Sequence, residues 1–216
     1  MEYISKYAKY IYEKQDEDLI LGLDDYLNKY AEDIYSFFDI SERKQALITI
    51  MPTKKEYDEW LKDKWNLDEV PNWNIGNTYN GDITFVSLHD YENTAHGYWL
   101  KDYDKAIVRY NKTIVHEYVH FVTILYQIKN NINKPLRYLT EGIAQYLSYQ
   151  RDNIKKDFHY SLEDILESKD QYYSYYLMIK HILDNYDKEY FFKLLSDNDY
   201  AVKETKKLYK EIKKDN

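Results

Sequence analysis

Apolar residues recur at helical spacing across residues 19–38, where Leu19, Leu23, Leu27, Tyr30, Ile34 and Phe37 line one face and charges fill the other. Residues 46–50 (Ala-Leu-Ile-Thr-Ile) are short, apolar and β-branched, and read as a buried strand. Pro52 stops that strand. Thr53 then caps a short helix through Tyr57 and Leu61, with Glu56 at the capping-box position. Residues 70–81 hold Pro71, Gly76, Gly81 and several Asn, the composition of turns and loops. Residues 83–88 form the second clear strand, and residues 90–104 are polar and irregular. A long helix starts near Tyr110, with Ile114, Val115, Tyr118, Val119, Val122 and Leu125 as its apolar side. Residues 130–135 break it at Pro135.

Beyond the break the pattern is helical throughout. It predicts helices over 137–150, from Ser161-x-x-Asp164, over 172–186, over 189–195 and over 201–212. Residues 9–14 fit a short strand or a helical turn equally well. Few strands early and helices late predict an α+β fold, with a small N-terminal mixed sheet and a mostly helical C-terminal part.

The chain has 216 residues, enough for one domain, with an N-terminal lobe of about residues 1–130 and a C-terminal lobe of about 131–216. Hydrophobic residues make up 44%, and the 27 Tyr supply most of the aromatic area, so disorder is not expected. A formal net charge of -8 argues against a nucleic-acid partner and an anionic membrane surface. The one basic region (Lys203, Lys206, Lys207, Lys210, Lys213, Lys214) reads as the solvated face of a last helix. The absence of Cys excludes thiolate zinc sites and a cysteine nucleophile. The first residues lack the apolar core of a signal peptide, and no apolar run is long enough to span a membrane. As written, the chain is expected to be cytoplasmic, or secreted if a signal peptide has been removed. Its oligomeric state is not legible.

His116-Glu117-Tyr118-Val119-His120 changes the picture. The H-E-x-x-H spacing sets two imidazoles one helical turn apart on one face, beside a carboxylate. About one such chain in a hundred would carry the motif by accident, so a third ligand decides its meaning. Hydrolytic zinc needs three protein ligands and one open position for water. Thr140-Glu141-Gly142-Ile143-Ala144-Gln145-Tyr146 offers Glu141, on a second helix about twenty residues beyond His120. Small Gly142 and Ala144 suit close helix packing. His89, His96, His159 and His181 read as surface or core residues.

The pairing of this motif with T-E-G-x-A-x-Y resembles the gluzincin zinc metallopeptidases, and among them the peptidase MA-like domains. The likeness continues through Met51-Pro52, Pro71-Asn72-Trp73, Gly76, the strand at 83–88, Tyr172 and the run from His181 to Asp187. The resemblance implies a zincin-like fold and a zinc-dependent peptidase acting on a peptide or protein substrate. It implies one Zn2+ ion held by His116, His120 and Glu141, with Glu117 as general base. It also implies that the strand at 83–88 edges the cleft. A tyrosine donor for the developing oxyanion aligns with Tyr172, with Tyr173 and Tyr176 as neighbouring alternatives. Two positions depart from the family pattern: Asp187 stands where Gly is usual, and Tyr175 where a small residue is usual. Two other functions stay open: a catalytically silent binding module with this fold, and a zinc hydrolase of a non-peptide amide.

Overall fold

The computed structural model describes residues 1–151, 161–167 and 172–215. The fold is α+β, with one small mixed sheet and a majority of helix. The chain forms two compact units, Met1–Ile124 and Leu125–Asn216. The division falls inside one continuous helix. No described helix is long and apolar enough to cross a membrane.

The first unit contains strands β1 (Glu2–Ile4), β2 (Ala8–Ile11), β3 (Ala46–Met51), β4 (Gly76–Tyr79) and β5 (Asp82–Val86). It also contains helices α1 (Glu17–Phe37) and α2 (Lys54–Trp65) and most of α3 (Tyr103–Asn130). The sheet order is β1-β2-β3-β5-β4. The central β2, β3 and β5 are parallel, and both edges are antiparallel.

Strand alternation explains the burial. On β3, Ala46, Ile48 and Ile50 are buried while Leu47, Thr49 and Met51 are half-buried. Register places Tyr10, Ile48, Ile83 and Thr78 side by side in one row across four strands. This row faces α1 and α3. Tyr10 donates from its hydroxyl to Asp24 of α1 at 3.0 Å, and Thr78 reaches Glu117 of α3. Two residues along β5, on the same face, the Phe85 ring meets Tyr110 of α3 edge-on, with centroids 6.1 Å apart.

Several expected boundaries move, for local reasons. Residues 70–81 are not turns throughout: β4 occupies the last part and is the sheet edge. Asn80 (φ 51°) and Gly81 (φ 91°) are both left-handed, and the Tyr79↔Asp82 pair flanks them. This is the two-residue Asn-Gly hairpin, whose twist matches that of paired strands. Residues 8–11 resolve as strand β2, followed by a 3₁₀ turn at Lys14–Asp16, and β1 is an additional short edge strand. The long helix starts at Tyr103 rather than near Tyr110, because Asp102 caps it: its Oδ1 accepts from the Lys105 amide at 3.3 Å. Two 3₁₀ turns, Leu88–Asn93 and Gly97–Lys101, fill the polar segment before it. The Thr53 cap forms as expected and accepts from the Glu56 amide, and α2 runs on to a left-handed Asn66.

The second unit adds α4 (Arg137–Leu147), α5 (Leu162–Leu166), α6 (Tyr172–Asn185), α7 (Lys188–Ser196) and α8 (Asn198–Asp215) to the last turn of α3. The Ser161–Asp164 capping box opens α5. Asp187 is the N-cap of α7 and accepts from the Tyr190 amide at 2.8 Å. Tyr138 and Thr205 share a buried hydroxyl–hydroxyl hydrogen bond of 2.5 Å between α4 and α8.

Gly142 lets α4 lie directly against α6. A Cβ there would stand 2.5 Å from both the Tyr175 carbonyl oxygen and Ile179 Cγ1. Backbone cannot swing aside as a side chain can. Gly142→Ala is therefore expected to destabilise this unit by about 1–3 kcal/mol, read as a lowered denaturation midpoint. An unchanged midpoint would show that the α4–α6 contact gives way freely.

Candidate metal centre

Along α3 the buried positions Tyr110, Ile114, Val115, Tyr118, Val119 and Val122 fix which way the helix faces. Tyr118 packs edge-on against Tyr35 of α1, with centroids 6.3 Å apart. His116 and His120 stand one turn apart on this fixed helix, His116 buried and His120 half-buried.

Their rings are nearly perpendicular, at 83°, and their Nε2 atoms are 3.1 Å apart. A shared proton or a shared cation satisfies such a pair. Two imidazole nitrogens on one tetrahedral zinc, each about 2.05 Å from it, would be about 3.3 Å apart. The observed spacing therefore fits common ligation closely. Glu141 lies on α4, in the second unit. Two imidazole nitrogens and a carboxylate oxygen are a donor set of hydrolytic zinc.

Glu117 is buried beside the histidines, and its carboxylate Oε2 accepts from Thr78 Oγ1 at 2.7 Å. Its charge also reaches the buried Tyr57. Burial holds the Tyr57 phenol well above its ordinary range, and the carboxylate pushes it further up. That phenol stays protonated and donates to Asn74 Oδ1 at 2.6 Å. Thr78 and Arg137 were not legible as site neighbours. Thr78 lies in the segment read as loop. The i,i+4 spacing of Arg137 and Glu141 was a visible signal for the second.

Within the second unit, Arg137 joins two expected site residues. Its Nε lies 3.7 Å from Glu141 Oε1, and its Nη2 donates to the Tyr172 hydroxyl oxygen at 3.2 Å. Its guanidinium also sits over the Tyr172 ring, 5.8 Å from the centroid. Tyr173 and Tyr176 instead stack on each other with centroids 6.2 Å apart, and Tyr176 is buried.

The other described histidines have structural settings. His89 is exposed. His96 Nε2 lies 2.9 Å from the Trp73 carbonyl, and its ring lies 4.5 Å from that of Trp99. His181 Nε2 is 3.1 Å from Glu211. His159 lies outside the described residues. The strand at 83–88, expected at the rim of a cleft, is interior: β5 is paired on both sides, and β4 is the edge.

Comparison with protein-family models, curated proteins and solved structures finds no match.

The donor set makes a direct prediction. After dialysis against zinc and then zinc-free buffer, elemental analysis should find one zinc per chain, and His120→Ala should abolish retention. A His120→Ala chain that keeps its zinc would remove His120 from the ligand set.

Proposed function

We propose that this protein is a zinc-dependent peptidase of gluzincin type with a zincin-like fold. His116, His120 and Glu141 would hold one ion, and Glu117 would act as general base. The observation that carries the reading is the 3.1 Å pair of imidazole nitrogens on α3 with a buried carboxylate, Glu117, next to it in sequence. When bound, zinc supplies a Lewis acid that lowers the pKa of a water and polarises a carbonyl oxygen.

The chain's own groups do the rest. Glu117 takes the proton of the attacking water on its carboxylate and passes it to the leaving amine nitrogen. Because it is buried, its charge is poorly screened and acts strongly on neighbouring protons. Tyr172 is favoured over Tyr173 and Tyr176 as the oxyanion donor. Arg137, one helical turn from Glu141, donates to its hydroxyl oxygen, and a phenol held there would donate to a carbonyl oxygen as negative charge develops. Among the described residues β4 ends the sheet, so an extended peptide substrate would add there, not at the paired β5.

Cleavage of a mixed peptide library, with and without chelator, tests the reading. Chelation should abolish hydrolysis. Glu117→Gln should retain zinc and lose hydrolysis; if it cleaves at the wild-type rate, Glu117 is not the base. Tyr172→Phe should lower kcat about 100- to 1000-fold with little change in KM. A wild-type kcat in that variant would transfer the donor role elsewhere.

A further inference from the structure

Thr78 occupies a position with two constraints. It lies on the edge strand β4, in the row that faces α3, and its backbone is fixed in register by Ile83. Its Oγ1 is 2.7 Å from Glu117 Oε2 and 3.0 Å from the Glu117 backbone carbonyl oxygen. A hydroxyl carries one proton. The shorter contact, to a carboxylate oxygen, takes it, because a charged acceptor makes the stronger bond. Threonine is β-branched, so its χ1 has few wells and the hydroxyl direction follows the strand.

We infer that Thr78 is the positioning residue of the base, an inference that rests on the peptidase reading above. A glutamate has three side-chain torsions and would otherwise sample many directions around the histidines. The Thr78 bond commits Oε2 to the strand. That makes the two carboxylate oxygens unequal: Oε2 is the anchored one, and Oε1 is left to take the water proton. The Thr78 side chain contacts neither substrate nor metal in this assignment, and only the β4 backbone would pair with an extended substrate. Its effect passes through Glu117, so it should move the chemical step and leave binding alone.

Thr78→Val keeps the branched shape and removes the donor, Thr78→Ser keeps the donor and removes the methyl group, and Thr78→Ala removes both. With a peptide cleaved by wild type, zinc content, melting temperature, kcat and KM are measured for all three and for Glu117→Gln. The expected result is that Thr78→Val and Thr78→Ala keep zinc and KM but lose about 10- to 100-fold in kcat. Thr78→Ser should stay within about threefold of wild type, which only a role for the hydroxyl explains. Should Thr78→Val fail to fold, the Ala and Ser pair carries the comparison.

Two results overturn the inference alone: full kcat in the hydroxyl-free variants, or a loss in Thr78→Ser as large as in Thr78→Ala. Both count only while Glu117→Gln is inactive. Wild-type activity in Glu117→Gln, or no hydrolysis by zinc-loaded wild type, overturns the peptidase reading and the inference with it.

Discussion

The rotational setting of α3 is the constraint on which the rest depends. Neighbouring residues on a helix differ in direction by about 100°. A helix turned by one position would point His116 into the apolar contacts of the core and present Glu117 in its place. What prevents this is the band of buried residues Tyr110, Ile114, Val115, Tyr118, Val119 and Val122. Leaving that band exposed would forfeit about 1.5–3 kcal/mol for each large side chain. That sum offsets the cost of burying His116 and Glu117 and half-burying His120. The apolar face therefore chooses the polar one.

Tyrosine has a large share in that setting. Among the largest fully buried side chains Tyr outnumbers Phe, and many of these rings end in a hydrogen bond. Tyr10 ends on Asp24, Tyr57 on Asn74, Tyr138 on Thr205, and Tyr35 on the Lys44 carbonyl. Each pair satisfies a hydroxyl that would otherwise cost about 1–3 kcal/mol to bury. It also fixes the ring's direction, which apolar contact alone does not. A chain with five glycines and no disulfide gains orientational definition this way.

The histidine pair, Glu117 and the long helix were legible because helical periodicity converts spacing directly into adjacency. β3 was legible from its alternation, and the Thr53 and Ser161 caps from residue type. β4 was not, because Gly76-Asn77-Thr78-Tyr79 has no apolar alternation. Its signal lay in Asn80-Gly81, a hairpin turn whose residues look like any other loop residues until the flanking pairs are known. The interior place of β5 was hidden for the same reason, since an unseen neighbour makes an inner strand look like an edge. Asp187 has a local cause: α7 needs a capping oxygen there, which glycine lacks. Arg137 was present at helical spacing from Glu141, but its reach to Tyr172 depends on packing that no local pattern encodes.

The Asn80-Gly81 turn has a consequence beyond joining two strands. Side chains along β4 alternate between faces, so pairing with β5 slipped by one residue would swing Thr78 away from α3 and bring Asn77 or Tyr79 to face it. Neither could hold Glu117 as a short hydroxyl does: one is a longer amide, the other a bulky ring that now rests on Trp65. A turn of exactly two left-handed residues permits one register only. The turn thus works as a gauge, setting by count of residues which side chain stands opposite the carboxylate on the neighbouring helix.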